Sequence, residues 1–283
     1  MSKTTTILLF SLLIILSCES QKKEKIIIFQ KQEVIEEDNY KNLSYKELEI
    51  LAIKGDSIVQ NLIGDKFYYG IDTLIDYKKA VEWYEKSANK GYIDAQNALA
   101  FCYLKGRGIN QDLRKAFQLY SENAEKGDSK AKFNLSSFYK FGIIVEQNQE
   151  KAITLLKESA KKGFPEAQND LAIHYFDGIG VEKDYEMAFQ LFKSAQENEL
   201  LEAYSPLAWC YLNGLGVKKD ENKAIKIYEA AIEKGCNISQ YNLGLMYLKG
   251  IQVDKDIAKA KSLIKKAMDQ GNEKAIQLWN ENF

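Results

Sequence analysis

The sequence predicts an all-α protein, a right-handed α-solenoid built from helix-turn-helix repeats. Three observations predict this fold class. Most of the 283-residue sequence repeats with a period of 36 residues. Within each repeat, the apolar residues recur at helical spacing. Glycine and aspartate recur at the positions where helices would end and begin. A period between roughly 20 and 50 residues is typical of stacked supersecondary units. Because each unit buries its apolar side only against its neighbours, the units are expected to form a solenoid.

Residues 1–17 have the pattern of an export signal. Lys3 precedes a ten-residue, mostly apolar stretch, Ile7 to Leu16, which is about half of the ~20 residues that span a bilayer as a helix. The stretch ends in Ile15-Leu16-Ser17-Cys18, which resembles the lipobox of bacterial lipoproteins. The resemblance implies palmitate-type acylation of Cys18 and a lipid anchor in the bacterial cell envelope, at the periplasmic face or the outer membrane. The alternative is an ordinary secretory signal with an incidental cysteine.

Residues 18–43 are predicted to be a tether. They mix charged runs with one apolar cluster, Ile26 to Phe29, and they show no sustained period of 3.6 residues. The alternative is that the cluster packs on the first helices of the solenoid or forms a short strand.

Residues 44–283 are predicted to form the solenoid. An N-terminal half repeat covers residues 44–58, in which Ser44 and Glu47 form a plausible capping box and Gly55 ends a lone helix. Six repeats of 36 residues cover 59–274, and a C-terminal half repeat covers 275–283. Helices of this length are marginal alone in water, so each repeat depends on its neighbours for stability.

Within a repeat, one alanine column opens the apolar stripe of a first helix. In the second repeat, Ala95, Leu99, Cys102 and Tyr103 lie within a single ~100° stripe. Glycine then ends the helix, and an Asp or Asn four residues before a second alanine column is placed to cap the second helix. The helix-ending glycines are Gly70, Gly106, Gly142, Gly178, Gly214 and Gly250, and the capping residues are Asp76, Asp112, Asn148, Asp184, Asp220 and Asp256.

These columns resemble the Sel1-like repeat, a relative of the tetratricopeptide repeat. The resemblance covers residues 44–283 and implies an all-α superhelix that commonly serves as an adaptor. Departures are local: Asp72, Ile144 and Gln252 replace the second loop glycine and Glu199 replaces a closing glycine, which leaves the turn geometry there open. Pro206 is expected near the start of a helix, where its missing N–H costs least.

The sequence offers little material for catalysis, metal binding or nucleic-acid binding. Lys and Arg number 39 and Asp and Glu 40, so the formal net charge of −1 lacks the positive excess that phosphate backbones require. The chain has one histidine, His174, and four cysteines, which leaves no multi-histidine or cysteine-rich site. His174 lies on the predicted buried stripe without a nucleophile or an acid at fixed spacing. We therefore expect no catalytic residue, no metal and no cofactor.

Cysteine-rich relatives of this family carry a disulfide in each repeat, and hydrolytic or penicillin-binding activity has been proposed for them. That pattern is missing here. Cys102 and Cys210 stand three repeats apart, on the order of 25 to 30 Å for packed helices, whereas a disulfide needs Cα atoms within about 7 Å. Cys236 lies in a predicted loop without a cysteine at the matching spacing. The sequence predicts three unpaired thiols.

The side of the first helices opposite the main stripe carries more apolar residues than a water-facing surface usually does. The predicted partner-binding residues on this side are Phe101, Phe133, Phe176, Trp209, Tyr241 and Leu245, accompanied by Leu104, Ile173, Leu212 and Leu248. One interpretation is a groove on the concave face that binds a peptide or protein. The alternative is that these residues pack between neighbouring first helices.

The functional hypothesis is a non-catalytic protein-protein interaction scaffold, held at a membrane by its lipidated N-terminus, that binds another protein or a peptide. Two alternatives remain open. One is a hydrolase or penicillin-binding enzyme like the cysteine-rich relatives, and the other is an immunity protein that occludes a secreted toxin.

Overall fold

The structure is a computed structural model that describes residue 40 and residues 43–283. This part of the chain contains fourteen α-helices and no strand. The export signal, Cys18 and the cluster Ile26–Phe29 lie outside the described residues. The helices are α1 (Tyr45–Lys54), α2 (Ser57–Tyr69), α3 (Tyr77–Ala88), α4 (Ile93–Lys105), α5 (Leu113–Glu125), α6 (Ser129–Phe141), α7 (Gln149–Lys161), α8 (Pro165–Asp177), α9 (Tyr185–Glu197), α10 (Leu201–Asn213), α11 (Glu221–Glu233), α12 (Asn237–Lys249), α13 (Ile257–Asp269) and α14 (Glu273–Asn282).

The helices alternate between two kinds, which confirms the predicted all-α repeat solenoid. Even-numbered helices are the first helices of the repeats, and odd-numbered helices are the second helices. The described chain divides into two compact units, an N-terminal unit that ends at Ser159 and a C-terminal unit that runs from Ala160 to Phe283. Each unit has its own buried apolar clusters.

The ends of the first helices follow the glycine column. All six predicted glycines have φ between 63° and 74°, the left-handed conformation that a side chain disfavours. The positions that lack the second loop glycine keep the same backbone conformation, since Asp72, Ile144 and Gln252 have φ between 57° and 62°, and Glu199 has φ 62°. The turn is therefore maintained without glycine. Ile144 is the most unfavourable of these residues because it is branched at Cβ.

The starts of the second helices follow the predicted capping column. The side-chain oxygens of its five aspartates and Asn148 each accept a hydrogen bond from the backbone N–H three residues later, at 2.9 to 3.1 Å. The capping box of α1 is also present, because Ser44 accepts from the Glu47 N–H and Glu47 accepts from the Ser44 N–H. These caps satisfy donors that a helix N-terminus leaves unpaired.

The prediction for Pro206 is wrong. Pro206 is the sixth residue of α10, inside the helix, whereas Pro165 is the residue that begins a helix. Helix α10 begins at Leu201, two residues before the alanine column as the other first helices do, and this start places Pro206 beyond the first turn. At that position its ring removes a hydrogen bond to the carbonyl of Glu202.

The core of each repeat lies between its two helices. The alanines that begin the second-helix stripe are at most 1% exposed, so neighbouring backbones approach closely there. Beyond them lies one large side chain in each second helix that is at most 2% exposed: Tyr84, Tyr120, Leu156, Phe192, Tyr228 and Ile264. Full burial of one such side chain contributes about 1.5 to 3 kcal/mol.

The aromatic column of the first helices is covered by a lysine from the second helix of the same repeat. The lysine ammonium lies 4.2 to 5.3 Å from the ring centroid in five repeats. The pairs are Lys79 on Phe67, Lys115 on Tyr103, Lys151 on Tyr139, Lys223 on Tyr211 and Lys259 on Tyr247. Each pair stabilises its repeat by about 0.5 to 1 kcal/mol at an exposed site. Met187 stands at this position in the remaining repeat.

Candidate binding surface

We define the first-helix face by three positions in each first helix: two, six and nine residues after the alanine that opens its stripe. The two units contribute to this face separately. Its apolar members in the N-terminal unit are Tyr68, Phe101, Leu104 and Phe133, and those in the C-terminal unit are Ile173, Phe176, Trp209, Leu212, Tyr241, Leu245 and Leu248.

In the N-terminal unit, Phe101 and Phe133 are half-buried. Phe101 packs edge-on against Tyr68 with the ring centroids 6.3 Å apart, and the Lys105 ammonium lies 5.8 Å from the Phe101 centroid. One side of Phe101 is therefore fixed by the core while part of the ring remains accessible. A rigid, partly exposed aromatic ring is the kind of side chain that anchors a protein partner.

Polar groups surround this aromatic surface in the first repeats. Asp65, which occupies the same column as Phe101, accepts hydrogen bonds from the Tyr84 hydroxyl at 2.7 Å and from the Asn61 amide at 3.1 Å. Burial raises the pKa of Tyr84, and the charge of Asp65 raises it further. The Arg107 guanidinium donates to the Tyr68 hydroxyl at 2.7 Å. The N-terminal unit therefore combines aromatic rings with charges that already have partners within the protein.

In the C-terminal unit, Trp209 and Tyr241 are half-buried. Trp209 packs against the largest apolar cluster of that unit, and its carbonyl accepts a hydrogen bond from the Asn213 amide at 2.9 Å. Tyr241 packs against the cluster that contains Ile264. Burial, and to a smaller extent the charge of Glu281, raises the pKa of Tyr241, so its hydroxyl stays protonated and able to donate a hydrogen bond.

Phe176 and Leu245 lie in the interior, 3% and 4% exposed. The Phe176 ring meets Tyr185 and Phe192 of α9 edge-on, with centroids 5.1 and 6.3 Å apart. Tyr68, at the equivalent position of the first repeat, meets its own second helix in the same way. Phe176 and Leu245 therefore offer almost no area to a partner. Phe176 packs against the second helix of its own repeat, and not between neighbouring first helices as the packing alternative expected.

Two residues that sequence reasoning missed lie at or beside the first-helix face of the C-terminal unit. Asn169 and Asn242 are 8% and 6% exposed, and the Asn169 Oδ1 and Asn242 Nδ2 atoms have no hydrogen-bond partner within the described chain. A buried polar atom without a partner costs about 1 to 3 kcal/mol. The available signal was an asparagine on an otherwise apolar side of a helix. Asn169 lies in the same column as Asn61 and Asn97, and Asn242 lies one position after that column.

Outside the face, the described part of the chain has one histidine, His174. His174 is buried, and its Nδ1 atom lies 2.7 Å from the Ile179 carbonyl, as expected of a structural histidine. Residues 40 and 43–283 contain no group of His, Cys, Asp and Glu that could hold a metal ion. A shallow depression of about 610 Å³ is lined by Tyr211 and residues 217–223, where side-by-side lysines and carboxylates offer no nucleophile-base pair.

The three cysteines of the described chain are free and buried. Burial raises the pKa of the Cys102 and Cys210 thiols to about 12, with a smaller contribution from Asp65 at Cys102. Both are therefore protonated and unreactive at neutral pH. Cys236, expected in a loop, lies in the connection between α11 and α12, as the N-cap residue of α12. None of the described helices is long and apolar enough to cross a bilayer.

Comparison with protein families gives a match that covers most of the chain. The Sel1 repeat model matches six consecutive spans, residues 57–92, 93–128, 129–164, 165–198, 202–236 and 237–272. The chain belongs to the Sel1 repeat family. The matched spans begin at the helix pairs described above, so the Sel1 columns coincide with the caps, turns and buried alanines of the structure. No curated protein matches the sequence significantly.

Solved structures of Sel1 repeat proteins share the architecture. A Sel1 repeat protein from Oxalobacter formigenes is 26% identical with a TM-score of 0.72, and the match covers 84% of this chain and 99% of that one. The protein c5321, a protective antigen of uropathogenic Escherichia coli with an SLR fold, is 29% identical with a TM-score of 0.65, but the match spans 83% of this chain and only half (50%) of that chain. Immunity protein PA5088 from Pseudomonas aeruginosa is 20% identical with a TM-score of 0.54, covering 73% and 80% of the two chains.

Proposed function

We propose that this Sel1 repeat protein is a non-catalytic scaffold that binds another protein through its first-helix face. We further propose that acylated Cys18 holds it in the bacterial cell envelope, at the periplasmic face or the outer membrane. The observation that carries the binding proposal is the set of half-buried aromatic residues on first helices of both units: Phe101, Phe133, Trp209 and Tyr241.

One physical feature supports binding at these positions. The Phe101, Trp209 and Tyr241 rings each pack on one side against a buried apolar cluster. Little conformational entropy is therefore lost when a partner covers the other side of these rings.

The binding proposal is tested by capture from the envelope extract of the protein's own cell. The bait is the full chain with Cys18→Ala, compared with the same chain carrying Trp209→Ala and Tyr241→Ala. The control is Lys226→Ala, which changes an exposed side chain of α11. Circular dichroism verifies the helix content of each bait. We expect a specific co-purifying protein that the aromatic variant loses and the control retains. Equal capture by all three baits would contradict the assignment of the face.

Lipid anchoring is tested separately, by fractionation. Cys18→Ala should move the protein from the membrane fraction to the soluble fraction because a covalently attached acyl chain contributes about 0.8 kcal/mol of membrane affinity per buried methylene. The matched control is Ser17→Ala, which keeps the cysteine. A Cys18→Ala protein that remains with the membrane would refute acylation at this position.

A narrower form of the proposal is neutralisation of a secreted toxin. Immunity protein PA5088 shares the fold at 20% identity, and occluding a toxin is itself a binding function. A toxin domain that co-purifies with the chain and loses activity on binding would select this form. Turnover of a chromogenic β-lactam by the purified protein would instead contradict the non-catalytic proposal and favour an enzyme like the cysteine-rich relatives.

A further inference from the structure

The outward side of α1 carries two exposed isoleucines. Ile50 and Ile53 are 47% and 73% exposed, and they lie three residues apart, on the same side of the helix. Leu48 and Ala52 on the opposite side are buried against the rest of the N-terminal unit. Helix α1 therefore exposes an apolar surface where a terminal helix would ordinarily meet water.

Equivalent positions in the other second helices are almost all polar. Ile50 and Ile53 have an equivalent pair in each of the six later second helices, at steps of 36 residues. These pairs are Lys86/Asn89, Glu122/Glu125, Glu158/Lys161, Ser194/Glu197, Ala230/Glu233 and Lys266/Asp269. Only Ala230 among these twelve residues is apolar. The isoleucine pair is thus a property of α1 and not of the repeat.

The loop after α2 shows the same departure. Leu74 and Ile75 are 86% and 57% exposed. The equivalent loop positions in the other five repeats are all polar: Asn110/Gln111, Glu146/Gln147, Glu182/Lys183, Lys218/Lys219 and Asp254/Lys255. The terminal helix and the first repeat therefore carry apolar side chains at four positions where the rest of the chain carries polar ones.

This arrangement conflicts with what the end of a repeat stack requires. Terminal repeats need a polar outer surface because no further repeat covers them. An uncovered isoleucine pair on a terminal helix would favour end-to-end association of two copies. Something of apolar character is therefore expected to cover α1.

The path of the chain shows what is near enough to do so. The Tyr40 hydroxyl donates to the Asp56 carboxylate at 2.8 Å, and Tyr40 and Leu43 pack against the apolar cluster that contains α1. Asp56 is only three residues beyond Ile53, so the preceding chain leaves the described structure beside the end of α1 that carries Ile53. The ten residues between Phe29 and Tyr40 allow these two residues to lie up to about 37 Å apart when the chain is extended, more than twice the roughly 15 Å length of α1.

We infer that the segment Ile26–Phe29 of the same chain lies on Ile50 and Ile53 and closes the N-terminal end of the stack. The segment is the one apolar cluster between Cys18 and Tyr40 that has four consecutive large apolar side chains. Its burial on α1 removes apolar surface of both from water, which favours the contact by about 25 cal/mol per Å². The contact also gives the tether a fixed point of attachment to the solenoid.

The test is disulfide formation between introduced cysteines in the full chain carrying Cys18→Ala. The reporting pair is Ile28→Cys with Ile53→Cys. The control pair is Ile28→Cys with Glu125→Cys, which occupies the same column two repeats later, roughly 20 Å further for packed helices and within reach of the segment. The reaction is run under mild oxidation at a protein concentration of about 1 µM or lower, where intermolecular reaction is slow. We expect the reporting pair to form an intramolecular disulfide at least about tenfold faster than the control pair.

Other occupants of the α1 surface give different outcomes, and each overturns the inference. A second copy on α1 would give disulfide-linked dimers of the Ile53→Cys single variant with no intramolecular product from the reporting pair. A membrane on α1 would give no disulfide, together with slower labelling of Ile53→Cys when phosphatidylethanolamine and phosphatidylglycerol vesicles are added. Equal rates for the reporting and control pairs would mean that the segment samples the whole surface.

A second measurement does not depend on the introduced pair. Replacing Ile26–Phe29 with four serines should increase the rate of maleimide labelling at Ile53→Cys by at least about fivefold and leave the rate at Glu125→Cys unchanged. Circular dichroism of each variant confirms that the solenoid is folded. An unchanged rate at Ile53→Cys would show that the segment does not cover α1.

Discussion

The second helices of the two units differ in the polarity of the side chain at one equivalent position. In the N-terminal unit this position holds Ser87, Asn123 and Ser159, and in the C-terminal unit it holds Ala195, Ala231 and Ala267. All six side chains are 0% exposed. The comparison is informative because the backbone surroundings repeat every 36 residues while the side chains change from polar to apolar.

The polar residues of the N-terminal unit connect the two helices of a repeat by hydrogen bonds. The Ser87 hydroxyl donates to the Ser57 carbonyl at 2.6 Å, and the Ser159 hydroxyl donates to the Ser129 carbonyl at 2.7 Å. The amide of Asn123 donates to Asn97 at 3.0 Å. A buried polar group without such a partner destabilises the folded state, so these bonds favour one relative position of the two helices.

A longer network in the second repeat reaches the next helix. The Asn97 amide, which accepts from Asn123, donates in turn to the Asp128 carboxylate at 2.8 Å, and Asp128 caps α6 by accepting from the Ala131 N–H. Three consecutive helices, α4, α5 and α6, are thereby linked. Neighbouring bonds in a buried network strengthen one another, so each member contributes more than an isolated hydrogen bond.

The equivalent alanines of the C-terminal unit have no polar side-chain group, so they connect the helices by apolar contact only. Ala195 stands where Asn123 stands two repeats earlier, and the residue opposite it is Asn169, the equivalent of Asn97. Asn169 therefore lacks the internal donor that Asn97 has, and its Oδ1 atom is unpaired. One backbone spacing therefore accepts either a complete polar connection or a small apolar contact. The incomplete connection at Asn169 leaves a buried polar atom without a partner, which lowers the stability of the folded state.

The largest expected effect comes from placing a polar side chain where the C-terminal unit has no partner for it. Ala267→Asn should destabilise that unit by roughly 3 to 5 kcal/mol, because the larger side chain overpacks a fully buried site and buries an unpaired amide. The readout is labelling of Cys210 by a maleimide as guanidinium increases, since the raised pKa and burial of this thiol prevent labelling until the unit opens. A cost below about 1 kcal/mol would mean that the alanine position is not closely packed.

Removal of the polar connection from the N-terminal unit should cost somewhat less. Asn123→Ala should destabilise it by about 2 to 3 kcal/mol, because the change deletes a buried hydrogen bond and leaves the Asn97 Oδ1 atom unpaired. Cys102 labelling reports this unit. In a double-mutant cycle with Asn97→Ala, a coupling of at least about 1 kcal/mol is expected. Strict additivity of the two changes would show that the network makes no joint contribution.

Transfer of the connection to the C-terminal unit should cost less again. Ala195→Asn places a donor opposite the unpaired Asn169 Oδ1 atom, so the cost of overpacking is partly offset and the net destabilisation should be about 1 to 2 kcal/mol. The matched comparison is Ala267→Asn, measured in the same unit with the same Cys210 readout. If both variants lose equal stability, Asn169 is not the structural equivalent of Asn97.

The smallest effect is expected for a single hydroxyl. Ser87→Ala should lower the stability of the N-terminal unit by about 1 kcal/mol, because the Ser57 carbonyl keeps its helical hydrogen bond and loses only a second donor. The control is Ser129→Ala. Ser159 donates to the backbone carbonyl of Ser129, so this change keeps the hydrogen bond between the two helices. Guanidinium unfolding followed through Cys102 is again the measurement, and a loss above about 3 kcal/mol would indicate a network at Ser87 like that of Asn97.

Most of the fold could be predicted from the sequence because every relevant signal is repeated. The capping aspartates, the left-handed glycines and the buried alanines are local requirements that recur at one spacing, so each repeat corroborates the others. Pro206 was misplaced because the first helices begin two residues before the alanine that opens their apolar stripe, so Pro206 lies further into α10 than its distance from Ala203 suggests. Helix starts are the least certain feature of any periodic pattern.

The candidate surface was less predictable because it depends on which neighbour covers each side of a helix. Phe101 and Trp209 are half-exposed as required, whereas Phe176 turns toward its own second helix, a contact that single-helix geometry does not contain. The connection between Asn97 and Asn123 joins residues on different helices, and only a comparison of two columns would have found it. The binding role of Phe101, Phe133, Trp209 and Tyr241 stays a prediction.

Site-specific photocrosslinking in the living cell shows whether the first-helix face binds a protein. A photoreactive benzoyl-phenylalanine replaces Phe101 in the N-terminal unit or Trp209 in the C-terminal unit, and, as the control, Lys226 on α11. If the first-helix face binds a protein, irradiation gives a discrete adduct of higher mass at Phe101, Trp209 or both, and none at Lys226. Adducts at Lys226 of equal yield, or no adduct at either aromatic position, would contradict the account.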